Sequence, residues 1–316
     1  MTERSTEAHA RVAPDGAAIR TVGLSKRYGR TLALDGLDLQ VPRGEAFGFL
    51  GPNGAGKTTA VNLLLGLAIP EAGQGWVLGA PLGDRAVRAR VGYLPELFRY
   101  QPWLTAREVL GLHCALARIE RADRPGAVRK ALATVGLADR ADDRVGGFSK
   151  GMQQRLGLGV ALLGPPDLVI LDEPTSALDP VGRQDVRQII HDLRERGVTV
   201  FLNSHLLTEV ERVCDRVAVV DHGRVVATGR LPELLAGSRV SLRVTGLGAD
   251  RLSHLARFGQ VAAADDRITV DGIGADAVPD LVAEVVRLGG RVHAVEPLQR
   301  TLEDRFLELV GPERTA

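Results

Sequence analysis

Apolar and polar positions along the chain change period several times. AIRTVGLSKRYG and TLALDGLDLQV alternate in short stretches broken by glycine, which predicts two strands joined by a turn. AFGFL, Ala46 to Leu50, is apolar without alternation, as a strand buried on both faces is, and AVNLLLGLA shortly after it reads as a helix. IPEAGQGWVLG predicts a turn and then a strand, and VGYLPE ends another strand. From Phe98 to about Pro166 the pattern is helical. Thr105 and Glu108 form a T-x-x-E capping box, with the apolar Val109, Leu112 and Leu116 on one helical face. A second helix around Ala127 to Val135 stops at Gly136, and a third, opened by GFSKGMQQ, stops at Gly164, Pro165 and Pro166. DLVILDEP and VTVFLNSH are buried strands flanking a helix whose face is Val186, Ile189, Ile190 and Leu193. EVERVC predicts a short helix, and RVAVVDHGRVVATG a strand, an Asp-His-Gly turn and a strand.

The character changes again near Leu231 to Ser238. RVSLRV, ADRLSHLARFG, QVAAAD, DRITV, DAVPDLVAEVVRLGG and RVHAVEP run strand, helix, strand, strand, helix, strand, the split order of a ferredoxin-like domain, and TLEDRFLELV adds a final helix. The expected organisation is a polar, aperiodic tail over 1–16, an α/β domain over 17–235 with a helical insertion at about 98–166, and a small α+β domain over 239–316.

Composition narrows the partners. The 316 residues carry a formal net charge of +1, so no strongly basic half is available to track a nucleic-acid backbone. Four of the 40 basic residues are lysine, and the arginine excess is a compositional bias. Cys114 and Cys214 lie in unrelated segments, which fits a reducing compartment without disulfides. No apolar run reaches membrane-span length and no signal layout opens the chain, so a soluble, cytosolic protein is expected.

The interval between the AFGFL strand and its helix carries the chemistry. GPNGAGKTT fits G-x-x-x-x-G-K-[ST], with Gly51, Gly56, Lys57 and Thr58 in the required places. Gly51, Gly54 and Gly56 let the backbone of Gly51, Pro52, Asn53, Gly54, Ala55 and Gly56 curl until its N–H groups point at phosphate oxygens, and the following helix adds its positive end. Lys57 would neutralise the β/γ-phosphates, Thr58 would hold Mg²⁺, and Thr59 closes the motif. DLVILDE then places Asp172 and Glu173 at the end of a hydrophobic strand. Asp172 there can hold Mg²⁺ and Glu173 can polarise an attacking water, which makes hydrolysis the leading reaction. FSKGMQQRL, with Ser149 and Gly151 opening a helix, is a second phosphate-binding arrangement without a second loop to serve in the same chain. Taken alone, that segment is equally an N-capped helix.

In their order, Gly51 to Thr59, VGYLPE, FSKGMQQ, LVILDEP, SALD and the NSH at His205 resemble the nucleotide-binding subunits of ABC (ATP-binding cassette) transporters, over about Ala17 to Leu231. The resemblance implies a P-loop ABC-type ATPase domain with an inserted helical subdomain. By position, Tyr28 looks like the aromatic that stacks on adenine, and Ser149, Lys150, Gly151 and Met152 like the signature that contacts ATP across a dimer. Asp179 looks like the aspartate linking the two sites, and His205 like the switch histidine near the γ-phosphate. Two positions depart from the common pattern. Glu96 stands where glutamine is usual and would approach Mg²⁺ or the water as a carboxylate, and the signature reads F-S-K-G-M in place of L-S-G-G-Q. Both variants, the C-terminal domain and the closing LEDRFLELVG resemble the drug- and antibiotic-exporter branch, the ABC-2 type.

The implied protein is an ATPase using ATP and Mg²⁺, dimeric with itself or a related subunit, and peripheral on the inner face of the cell membrane through a polytopic permease. No nucleic-acid partner is expected. The alternative is a soluble ABC-type ATPase acting on ribosomes or DNA. A single cassette argues against the ribosomal form. The stretch from Lys57 to Ser149, which lacks sustained heptads, argues against the DNA-organising form.

Overall fold

The computed structural model describes residues 16–97, 99–235 and 238–311. The expected tail before Gly16, the expected start of the helical block at Phe98 and residues 312–316 lie outside the described residues. The chain forms two compact units, which meet in sequence between Arg230 and Leu231.

The first unit contains two sheets. Strands β1 (Ala17–Tyr28), β2 (Thr31–Pro42), β4 (Ala72–Val77) and β5 (Ala80–Pro81) form an antiparallel layer in the order β2-β1-β4-β5. The second sheet takes β3 (Ala46–Leu50), β6 (Val91–Leu94), β7 (Leu168–Asp172), β8 (Thr199–Asn203), β9 (Arg216–Asp221) and β10 (Arg224–Arg230) in the order β10-β9-β3-β8-β7-β6. It is parallel except for the β9–β10 hairpin. Every residue of β3, β7 and β8 is buried, as their unalternating apolar sequences require. Phe47, Phe49, Ile170 and Phe201 from this sheet pack with Ile19, Leu24 and Leu37 of the antiparallel layer and with Ala60, Val61 and Leu63 of helix α1 (Lys57–Leu64). The strand order puts β8 between β3 and β7. The loop after β3 and the carboxylates after β7 therefore emerge on either side of the segment that follows β8, at the carboxyl ends of a parallel sheet.

Between β6 and β7 run helices α3 (Ala106–Leu116), α4 (Arg124–Thr134) and α5 (Lys150–Ala161), preceded by a short α2 (Arg85–Arg88) ahead of β6. The Thr105–Glu108 capping box is formed in both directions. The expected apolar face of α3 is not the buried one. Ala106, Val109, Leu110 and Cys114 are buried, whereas Leu112 and Leu116 are exposed. The helix turns its 106–110–114 row toward α4 and α5, and two of its three leucines, Leu112 and Leu116, are left outside. Helix α6 (Pro180–Glu195) buries the expected Val186, Ile189, Ile190 and Leu193, and α7 (Leu207–Val213) follows β8. Arg187 grips the buried Glu209 through two bonds of 2.8 and 3.0 Å and fixes α6 to α7.

The second unit comprises α8 (Leu231–Leu234), β11 (Ser238–Thr245), β12 (Gln260–Ala264), β13 (Arg267–Asp271), α9 (Val278–Arg287), β14 (Arg291–Gln299) and α10 (Leu302–Val310). Its sheet is antiparallel with the order β12-β13-β11-β14. Val240, Leu242, Val270, Leu281 and Val285 form its own core. ADRLSHLARF, expected as a helix, winds as 3₁₀ turns over Ala249–Phe258. Leu252, Leu255 and Phe258 recur every three residues and all pack on that core, which is the 3₁₀ period.

Candidate functional site

The phosphate loop is shaped by what lies behind it. A Cβ on Gly51 would overlap the Val220 carbonyl of β9, and one on Gly56 would overlap the Ala33 carbonyl of β2. Gly54 has a positive φ of 81° and faces open space. The Gly223 N–H donates to the Ala55 carbonyl at 3.0 Å, and the Asp35 N–H to the Gly223 carbonyl at 3.1 Å, so the β9–β10 turn ties the loop to β2. Gly56 is the N-cap of α1 and brings no side chain to cap it. The first N–H groups of the helix are thus left for an anion, with the helix dipole behind them. Lys57 Nζ donates to the carbonyls of Gly51 (2.7 Å) and Pro52 (3.1 Å), which parks its charge across the loop. Thr58 is exposed at the same helix end, with Asn53 also exposed and Pro52 and Thr59 half-buried.

The carboxylates converge on this lysine. Burial lowers the Lys57 pKa, while the fields of Glu173, Asp172 and Glu96 act to raise it. Asp172 is buried, and desolvation lifts its pKa, with the Asn203 hydrogen bond acting against that shift and the charges of Glu96 and Glu173 reinforcing it. Burial, then Asp172 and Glu96, push the neighbouring Tyr93 phenol up to about 12. Three carboxylates around one ammonium leave a local negative excess, facing a loop built for a polyanion.

Glu173 is the most constrained of the three. Its φ is 51°, a left-handed conformation that costs a side-chain-bearing residue about 1–2 kcal/mol and is concentrated at functional sites. Its N–H donates to the Asn203 carbonyl at 2.8 Å. Its Oε1 accepts the His205 backbone N–H at 2.9 Å and lies 2.8 Å from His205 Nδ1, and its Oε2 accepts from Ser204 Oγ at 3.4 Å. Its carbonyl accepts from Ser176 Oγ and from the buried Gln154 of α5. His205, with its side chain 57% exposed, therefore stands between Glu173 and solvent.

The other expected residues lie further out. Tyr28 ends β1, half-exposed with the Lys26 ammonium 5.3 Å from its ring centroid, on the hairpin whose returning strand touches Gly56. Ser149 is exposed and caps α5, its side chain accepting the Met152 N–H at 3.2 Å, with Lys150 exposed beside it. Gly151 makes its close approach to Leu178 of the same chain, where a Cβ would stand 3.3 Å from the leucine side chain. Asp179 caps α6 through the Gly182 N–H at 2.8 Å. Asn203, Ser204 and Gln154 hold the carboxylate pair and were not singled out from the sequence. The one signal for them was polar side chains at the end of an apolar strand and inside a helix's buried face.

The family profile described as ABC transporter matches residues 34–176. The chain is 41% identical over 305 residues to the Nod factor export ATP-binding protein I of Paraburkholderia xenovorans, covering 94% of this chain and 98% of that protein. It is 40% identical over 211 residues to the bacitracin transport ATP-binding protein of Bacillus licheniformis, covering 66% of this chain and 68% of that one. Among solved structures, the ATP-binding subunit of an ABC transporter superposes with a TM-score of 0.64 at 30% identity, over 69% of this chain and 91% of that one. A braced phosphate loop, a carboxylate pair held across β8 from it and relatedness along nearly the whole chain make this protein a member of the ABC transporter family, as an ATP-binding subunit.

Proposed function

We propose that Glu173 is the general base of ATP hydrolysis in this subunit, that His205 orients it, and that the cargo of the transporter it powers is exported. The observation that carries the reading is the Glu173–His205 pair, 2.8 Å apart, with Glu173 in a strained backbone and β8 between its strand and that of the phosphate loop. In this reading the N–H groups of residues 51–58 and Lys57 bind the β/γ-phosphates, and Tyr28 stacks on the adenine. Glu173 accepts a proton from water as the water oxygen bonds to the γ-phosphorus and the bond to the β-phosphate oxygen breaks. His205 N–H and Ser204 Oγ hold the carboxylate in place for that transfer. Ser149, Lys150, Gly151 and Met152 of a second copy, or of a related subunit, close the site over the γ-phosphate, and Asp179 couples the two sites.

Thr58 and Asp172 would hold Mg²⁺, with Glu96 at its edge. The donor set fits: an exposed threonine hydroxyl at the loop end and the Asp172 carboxylate are oxygen donors, and Mg²⁺ characteristically takes one or two carboxylates, waters and substrate phosphates. The ion supplies charge neutralisation on the phosphates when bound.

ABC ATP-binding subunits dimerise and work with separate permeases. No helix among the described residues is long and apolar enough to cross a membrane. We place this subunit at the inner face of the membrane through a polytopic permease docked on the helical insertion, about 98–166, and the Glu96 region. Exposed Leu97, Trp103, Leu112 and Leu116 support that surface. The names of its relatives, a Nod factor exporter and a bacitracin transporter, support export of antibiotics, drugs or lipophilic compounds. Residues 239–316 are read as a ferredoxin-like domain that regulates or braces the dimer, supported by the β12-β13-β11-β14 strand order and a separate core.

The test is Glu173→Gln. Phosphate release should fall by about 10²–10⁴-fold while ATP binding is retained, and light scattering should show an ATP-trapped dimer. Turnover near wild type would remove Glu173 from the base role.

A further inference from the structure

One buried polar side chain at the carboxyl end of the sheet has no part in the steps above. Asn203 ends β8, is 2% exposed, and stands in register between Phe49 of β3 and Asp172 of β7. Strand alternation puts it on the face of Phe201, which packs with Phe49, Ala60 and Val61 beneath the phosphate-loop helix. Its Nδ2–H donates to Asp172 Oδ1 at 2.6 Å, and its backbone carbonyl accepts the Glu173 N–H at 2.8 Å. One residue therefore touches both carboxylate positions.

The other end of the amide is unmatched. Asn203 Oδ1 is buried and has no hydrogen-bond donor among the described residues. A buried acceptor left alone costs about 1–3 kcal/mol, a cost that an apolar residue in this otherwise apolar strand end would not carry. The reversed amide would only set oxygen against the Asp172 carboxylate, so the chemistry of the pair fixes which end is free.

We propose that Asn203 is a positioning residue for the divalent cation of the nucleotide. Its Nδ2 locks Asp172 by one oxygen and leaves Oδ2 for the ion, and its Oδ1 is reserved for a donor that arrives with the nucleotide, a water of the hydration shell. Mg²⁺ keeps several such waters, each a strong donor. The inference rests on the reading of Asp172 as the cation's carboxylate, and partners of this kind typically change metal affinity by about 10–100-fold when removed.

The experiment titrates binding of a fluorescent ATP analogue to the full chain, in EDTA and against Mg²⁺, for wild type, Asn203→Leu, Asn203→Ser and Asp172→Ala. Binding in EDTA should stay within about twofold for Asn203→Leu, which also reports an intact fold. The Mg²⁺ concentration that half-saturates the metal-dependent signal should rise about tenfold. Asn203→Ser, which returns a small donor and acceptor, should shift it less. If Asn203→Leu leaves the Mg²⁺ midpoint in place while Asp172→Ala moves it, the Asn203 inference is wrong. An unmoved midpoint in Asp172→Ala overturns the reading of Asp172 itself. Loss of EDTA binding in both Asn203 variants would make the residue a packing element and sink the proposal.

Discussion

The loop Gly51–Thr59 and the helix start Ser149–Met152 are both phosphate-binding arrangements by composition, and the first unit treats them differently. The loop is braced from behind at three points: Gly51 against Val220, Gly56 against Ala33, and the Ala55 carbonyl on the Gly223 N–H. Its lysine is already held by two loop carbonyls. Ser149 leans on its own helix through Met152 and is exposed. Behind it, Gly151 presses on Leu178, and Gln154 reaches the Glu173 carbonyl. The loop is complete within one chain. The helix start is anchored to the Glu173 segment on its inner side and leaves Ser149 exposed on its outer side, as the proposed shared site requires.

The sharpest way to break this comparison is at the loop's glycines. Gly56→Ala forces a methyl into the Ala33 carbonyl at a φ of 98°, and ATP binding should be lost together with at least about 2 kcal/mol of stability. Gly54→Ala has the strain of a φ of 81° and no steric neighbour, so it should cost about 1–2 kcal/mol and keep measurable ATP affinity. Calorimetric titration with ATP and thermal unfolding order the two; equal effects would mean that bracing is not what shapes the loop.

Ser149→Ala comes next in size. Loss of the cap should cost about 1 kcal/mol. Monomer affinity for ATP should not change, while ATP-driven dimerisation and turnover fall. A loss of ATP affinity in the monomer would place Ser149 in its own chain's site and erase the distinction.

The smallest expected effect concerns the charge stored at the loop end. The folded-state pKa of Asp172 is raised above 3.8, first by burial, so the folded chain holds that proton more tightly than the unfolded chain. The stability this provides is present below 3.8 and is lost as pH rises through the raised value. Without nucleotide, Asp172→Asn should therefore unfold at a higher temperature than wild type at neutral pH, and the gap should close as the solution is acidified below 3.8. A variant no more stable at neutral pH would show that Asp172 is not desolvated at a cost.

Most of the first unit was legible in the order of residues because each element there obeys one local rule. The unbroken apolar runs of β3, β7 and β8 are buried throughout, and the row Val186, Ile189, Ile190 and Leu193 is the buried row of α6. The buried face of α3 is not legible locally because two rows compete on that helix. Hydrophobicity favours Val109, Leu112 and Leu116, and contact with α4 and α5 selects Ala106, Val109, Leu110 and Cys114. The Thr301–Asp304 box that opens α10 is faint in the sequence, since aspartate at the third position is a weaker signal than glutamate.

The chemistry divides along the same line. A nine-residue motif at a strand-to-helix turn, and an acidic pair ending an apolar run, already specified nucleotide binding and hydrolysis, because backbone curvature and strand burial are set by neighbours in the chain. Which groups hold Glu173, why Gly51 and Gly56 must be glycine, and that Asn203 ends in an unpaired oxygen beside Asp172 depend on strands far apart in sequence meeting in register. Only packing brings Val220, Ala33 and Asn203 to that place, and no local period records it.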